Sequence, residues 1–231
     1  MKGPVVKRLA IILCATCTFF IVITVSIYFK PTSKIKPWYP LEPILLQKIE
    51  SKYGVAAKQR FLDWNKLIAE GKTLQENDKL QQVNDFFNRN IRFIDDNIAW
   101  SDNDYWATPI ELLAQGVGDC EDFSIAKYFT LLEVGVDKSK LRITYVKASD
   151  LNVSHMVLTY FESPNTVPLV LDNLNPNIKS ATDRSDLFFV YSFNGDGLWL
   201  AKINGNGRQL ANADRLDMWA DLNRRMLELP L

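Results

Sequence analysis

Apolar and polar positions repeat with two different periods along this chain, and the change falls near Val136. From Leu41 to about Asn90 the spacing is helical. FLDWNKLIAEG, Phe61 to Gly71, places Phe61, Leu62, Trp64, Leu67 and Ile68 near a 3.6-residue repeat and ends on a glycine stop. TLQENDKLQQVNDFFNRN, Thr73 to Asn90, puts Leu80, Val83, Phe86 and Phe87 on one face, with Thr73 and Glu76 spaced as a capping box. Thr108-Pro109-Ile110-Glu111 predicts another helix start, with Thr108 as cap and Pro109 in the first turn, and Gly116 as its stop. CEDFSIAKYFTLLEV then runs to Gly135 behind Asp119, a good N-cap. Its apolar residues cover most of the girth, as in a helix at the centre of a core.

Beyond Val136 the texture becomes β-branched and aromatic. LRITYVKA (Leu141 to Ala148), SHMVLTYF (Ser154 to Phe161) and TVPLVLDN (Thr166 to Asn173) read as strands. DLFFVYSFNGDGLWL reads as a hairpin turning at Asn194-Gly195, and a final amphipathic helix covers about Asp214 to Leu227. Helices first and antiparallel strands after predict an α+β domain over residues 41–231.

The N-terminal part is different. LAIILCATCTFFIVITVSIYF, Leu9 to Phe29, carries no charge and would span roughly 30 Å as a helix, the thickness of a bilayer's hydrocarbon core. It divides the chain into a cytoplasmic N-terminus (1–8), a membrane anchor (9–29), a proline- and lysine-containing linker (30–40) and the folded domain. An uncleaved anchor and a long cleaved signal peptide are both readings of this segment, and both export the rest. Lysines and arginine flank it on either side, so charge bias does not set its orientation.

Composition narrows the picture further. Apolar residues are 47% and charged residues 23%, which is ordinary for a globular domain and excludes a disordered or disulfide-dense chain. Bases and acids balance at 27 each, but residues 1–37 hold six bases and no acid, so the domain is net acidic. No basic stripe recommends a nucleic-acid partner. Of the three cysteines, Cys14 and Cys17 lie inside the apolar segment. Cys120 is then the lone thiol of the exported part, either a small buried apolar residue or a working group.

Cys120 sits in GVGDCEDFS, flanked by Asp119, Glu121 and Asp122. A cysteine becomes a strong nucleophile as its thiolate, and neighbouring carboxylates oppose that ionisation. Yet the chain also offers a base. Its single histidine, His155, opens one predicted strand, and Asp172 ends the next. Antiparallel pairing would make these two neighbours, and a helix N-terminus would deliver Cys120 to the imidazole. Cys120, His155 and Asp172 then form a nucleophile, a base and an orienting acid, with the Cys120 backbone N–H as an oxyanion donor. The three acids beside Cys120 have two readings: a complement to the helix dipole, or part of a cation site.

The runs WATPIELLAQGVGDCEDFSIAKYFTLLEVGV, SHMVLTY and VLDNLN resemble the bacterial transglutaminase-like cysteine proteinases, and more narrowly their LapG type. The resemblance implies a papain-like, transglutaminase-like fold and a calcium-dependent periplasmic endopeptidase. It implies that Cys120, His155 and Asp172 are the catalytic residues and that Asp119, Glu121 and Asp122 bind Ca2+. It further implies cleavage of a large surface adhesin at an Ala-Ala pair, release of the adhesin and biofilm dispersal, and restraint by an inner-membrane cyclic-di-GMP receptor of the LapD type. Two other readings stand beside it: acyl transfer to an amine by the same triad, and an inactive binding module.

Overall fold

Three helices open the described part of the chain: α1 (Pro43–Tyr53), α2 (Val55–Gly71) and α3 (Glu76–Asn90). They belong to a computed structural model that describes residues 43–102, 104–202 and 207–228. The segment Leu9 to Phe29 and the linker at 30–40 lie outside the described residues. Among the described residues no helix is long and apolar enough to cross a membrane.

Two of the expected helix signals act differently from the sequence reading. Thr73 does not cap α3: its hydroxyl donates to the Glu70 carbonyl, and the Glu76 carboxylate is taken by Lys140 and Tyr160. Long-range partners for Glu76 have displaced a local box. Gly71 belongs to α2, and a Cβ there would lie 2.8 Å from Val134 Cγ1. That glycine lets α2 approach the chain end of the central helix closely. The box at Thr108 forms as expected, with Thr108 Oγ1 accepting from Glu111 N and the Glu111 carboxylate accepting from Thr108 N. It starts α5 (Pro109–Gln115), which ends at Gly116 with φ 72°, a left-handed conformation that suits glycine.

Between α3 and α5 lie β1 (Arg92–Phe93) and the short α4 (Asp96–Ala99). After α5, β2 (Val117–Gly118) pairs in parallel with β1. The central helix α6 (Cys120–Glu133) follows. Phe123, Ile125, Tyr128, Phe129 and Leu131 on it are all buried, each stabilising the fold by about 1.5–3 kcal/mol. Trp64 of α2 donates an indole N–H to Thr130 Oγ1 of α6 at 2.9 Å. Thr130 therefore enters the core without an unsatisfied hydroxyl.

The rest of the chain is a seven-stranded antiparallel sheet: β3 (Leu141–Ala148), β4 (Val153–Tyr160), β5 (Leu169–Leu171), β6 (Lys179–Ser180), β7 (Leu187–Phe193), β8 (Leu198–Leu200) and β9 (Gln209–Ala211). Their spatial order is β6-β5-β4-β3-β7-β8-β9. The last helix, α7 (Asp217–Glu228), packs Trp219 against Phe129 and Phe193. The strands have a period of two. Met156, Leu158 and Tyr160 of β4 join the main core with the helices, while Val157 joins a second cluster with Val146, Val170, Leu187 and Phe189. Both sheet faces are thus filled, and α6 lies against β4 and β3.

Candidate active site

The first turn of α6 carries Cys120 to β4. Ser124 Oγ lies 2.9 Å from the Cys120 carbonyl and 3.0 Å from the Met156 carbonyl. That buried hydroxyl ties the helix start to the strand residue beside His155. Cys120 is partly buried and unpaired with any other cysteine.

The β4–β5 register pairs Leu158 with Leu171. Continued by one residue, it sets Asp172 opposite Val157, two positions along from His155 on the same face. There His155 Nε2 meets Asp172 Oδ1 at 2.8 Å, with both residues buried. Asp172 is held on every side. Oδ1 also accepts from the Leu174 N–H at 3.0 Å, Oδ2 accepts from Arg184 Nη2 at 2.8 Å, and the backbone carbonyl accepts from Asn88 Nδ2. Burial alone would raise this carboxyl. The hydrogen bond and charge of His155, the Leu174 N–H and Arg184 outweigh it and hold Asp172 down at about 2. Nothing in the sequence marked Arg184, because its role depends on the loop before β7 folding back under β5.

Arg184 yields a direct test. A carboxyl depressed in the folded state stabilises it above the unfolded value near 4 and loses that contribution as pH falls toward its folded value. With Arg184→Met, Asp172 should rise from about 2 and acid unfolding followed by circular dichroism should move to higher pH. Peptide turnover should fall about tenfold, and Arg184→Lys should recover part of both effects. An unchanged acid midpoint in the methionine variant would remove Arg184 from this role.

The acids around Cys120 converge with two more that sequence reading passed over. Parallel pairing of β1 with β2, and the Ile94 N–H bond to the Gly118 carbonyl, lay the segment after Phe93 alongside Asp119. Gly118 has no room for a side chain: a Cβ would lie 2.5 Å from both Asp122 Oδ2 and Leu112 Cδ1. One oxygen each of Asp96, Asp104 and Glu121 fall within 4.8 Å of one another, as do oxygens of Asp96, Asp119 and Asp122. The acid-rich run FIDDNIAWSDNDYW was the available signal for Asp96 and Asp104. Their aromatic neighbours drew attention away from it.

Asp122 stands apart from the other expected ligands. Its carboxylate accepts from Ala107 N at 2.7 Å, Trp100 Nε1 at 3.2 Å and Asp119 N at 3.4 Å. It fastens the 100–107 loop to α6. By contrast, Asp96 Oδ1 and Asp119 Oδ1 are buried with no partner. An unsatisfied buried carboxylate oxygen is costly. Burial first, and then the charges of Glu121, Asp122 and Asp96, push the Asp119 carboxyl far above its usual range. Asp96 and Asp104 are raised by burial and by Glu121. The leading charges acting on Asp119 are all acids. Orphaned oxygens and convergent carboxylates, with no ion-paired base among the described residues, fit a hard divalent cation with oxygen ligands.

The same field acts on Cys120. Its thiol donates to Glu121 Oε2 at 3.0 Å. Burial, then Glu121 and Asp119, drive its pKa well above the ordinary thiol value, and the Met156 backbone only partly opposes them. Without a compensating cation, this field favours the thiol over the thiolate.

A thiol at the start of a central helix, beside a strand-borne imidazole–carboxylate pair on an antiparallel sheet, places the molecule among the thiol peptidases. More narrowly, the chain belongs to the bacterial transglutaminase-like cysteine proteinases, whose family model matches residues 64–203. It is a cysteine protease. Solved structures agree. Legionella pneumophila LapG treated with EGTA is 42% identical, with a TM-score of 0.70, and the match covers 78% of this chain and 95% of that one. The calcium-bound form of Legionella pneumophila LapG is 43% identical with a TM-score of 0.68, covering 78% and 97%. No curated protein matches the chain.

Proposed function

We propose that this chain is a calcium-dependent endopeptidase in which Cys120 attacks a peptide carbonyl, His155 manages the proton and Asp172 orients the imidazole. The observation that carries this reading is the buried His155–Asp172 pair beside the first turn of α6. Since Asp172 holds Nε2, Nδ1 is the ring nitrogen left to exchange a proton with the sulfur. His155 takes that proton as the thiolate adds to the carbonyl, then returns it to the departing amine. The Cys120 backbone N–H, one of the four at a helix start without an intrahelical partner, would donate to the oxyanion as it develops. Water then attacks the acyl-enzyme, with His155 again as base.

The calcium dependence rests on the acid cluster and on the likeness to a protein whose structures include calcium-bound and EGTA-treated forms. Asp96, Asp104, Asp119 and Glu121 would hold the ion, and Asp122 would brace the loop that presents them. Bound there, Ca2+ would supply positive charge that cancels the field keeping Cys120 protonated.

The substrate we propose is the N-terminal region of a large surface adhesin, cut at an Ala-Ala pair, so that cleavage releases the adhesin and disperses a biofilm. The enzyme would work in the periplasm, tethered by residues 9–29, under an inner-membrane cyclic-di-GMP receptor of the LapD type. Support for this part is the likeness to LapG over most of the chain and the apolar N-terminal segment. The test is incubation of the chain with an adhesin N-terminal fragment and a labelled amine, with and without calcium. A shortened, unlabelled fragment formed only with calcium is expected. Incorporation of the amine would assign acyl transfer instead, and an intact fragment would overturn the substrate.

Asp172→Asn is expected to keep the fold and lower turnover by about 100-fold or more. An amide in place of the carboxylate no longer supports an imidazolium, although it preserves the shape of the pocket. Near-normal rates in that variant would exclude Asp172 from the triad.

A further inference from the structure

Among the described residues Arg142 is a buried cation without an anion. It lies on β3, is 4% exposed, and its Nε has no hydrogen-bond partner. Burial lowers its pKa to about 10, and no neighbouring carboxylate acts against that loss. A lone buried charge is strongly unfavourable unless something compensates it. Here two rings supply part of the compensation, since the guanidinium lies 3.9 Å from the Trp199 ring centroid and 5.2 Å from that of Phe161. Such cation–π contacts cover the faces of the group and leave its N–H edge uncommitted.

That side chain lines a small cleft, open to solvent, with Thr144, Thr159, Phe161, Ser192 and Lys202. No acid is among the described residues that line it. The Thr144 and Thr159 hydroxyls bond each other and the Arg142 carbonyl, so the donors left are two cations and Ser192, and a planar fork between aromatic faces suits a group that presents two coplanar oxygens. The cleft is separate from the thiol site. Arg142 pairs with Thr159 and Val146 pairs with His155, so the two lie on one sheet face but four residues apart along the strands, roughly 13 Å at the strand rise. Val157, fully buried, stands between them.

We propose that this cleft binds a small oxyanion, a carboxylate or phosphate group, through the Arg142 guanidinium with Lys202 at its rim. Occupancy pairs the buried charge and joins β3 to the strands of β7 and β8, so the bound anion stabilises the far end of the sheet. The test uses the full-length chain in detergent, freed of metal so that phosphate stays soluble, with arginine labelled in nitrogen-15. Acetate, phosphate and sulfate are titrated against chloride at equal ionic strength. The Arg142 Nε–H resonance, assigned with Arg142→Lys, is expected to shift saturably with an oxyanion and not with chloride. Response to acetate alone identifies a carboxylate ligand; response to phosphate and sulfate alone identifies a phosphate group. Lys202→Ala, at the exposed rim, should weaken binding several-fold. Arg142→Lys should weaken it about tenfold and reduce the accompanying rise in thermal midpoint. No saturable shift in the wild-type chain, or equal thermal responses in the wild type and both variants, would overturn the proposal, the latter outcome being only the general exclusion of these salts from protein surfaces.

Discussion

Cys120→Ser is expected to reduce peptide cleavage at least about 10⁴-fold while leaving the fold unchanged. The replacement is nearly isosteric, and its hydroxyl retains a donor for the Glu121 carboxylate that the thiol now reaches at 3.0 Å. Stability should therefore move little. Chemistry should not survive. Burial and the charges of Glu121 and Asp119 already hold the thiol above its ordinary pKa. A serine hydroxyl ionises far less readily than a thiol, so the same surroundings leave it inert. Cleavage of a peptide substrate, with circular dichroism as the check on folding, decides the matter. Retention of a tenth of the wild-type rate would move the nucleophile elsewhere.

How much of this site was legible in the sequence depends on how local each interaction is. The helix that presents Cys120 was readable because the stop at Gly116 and the closely packed Gly118 lie within a few residues of it. The meeting of His155 and Asp172 was readable because a single antiparallel pairing brings them together. Asp96 and Asp104 were missed because their approach depends on a two-residue parallel bridge, β1 to β2, which leaves no periodic trace. Arg184 was missed for a similar reason, since its guanidinium reaches Asp172 only after the β6–β7 connection returns across β5. The resemblance assigned Asp122 to the cation with Asp119 and Glu121, and one of its oxygens falls within 4.8 Å of oxygens of Asp96 and Asp119. Its place at the third position of α6 turns it inward, where two backbone N–H groups and an indole occupy it. At a helix start, neighbours in sequence point in different directions, so adjacency alone does not set their contacts.

The fold itself shows the same division. Strand positions followed from the period of two, and β3 occupies the span that its apolar run marks, Leu141–Ala148. β5 is shorter than TVPLVLDN suggested, covering Leu169–Leu171. Pro168 lacks an N–H for the ladder, and beyond Leu171 the chain leaves the sheet so that Asp172 and Leu174 can close around His155. The site has taken residues that a longer strand would have used.

Chelating calcium is expected to lower cleavage at least about 100-fold without unfolding the chain, and restoring the ion should restore the rate. The fold has its own core, with Phe87, Ile125 and Leu158 all fully buried, so loss of the ion should not unmake it. What it should unmake is the thiolate. Each pKa unit by which Cys120 rises costs about tenfold in the reactive form at a fixed pH below that value. Alkylation of Cys120 at pH 7 should therefore be slow in excess chelator and faster with calcium. Glu121→Gln separates charge from ligation. In chelator the variant should alkylate faster than wild type, because one like charge beside the sulfur has gone. With calcium it should cleave more slowly, because an oxygen ligand is weakened. Those opposite signs distinguish an ion site from acids that merely complement a helix dipole, for which the variant would show no dependence on calcium. Wild-type cleavage that persists undiminished in chelator would end the calcium reading and leave the convergent acids without a counter-ion.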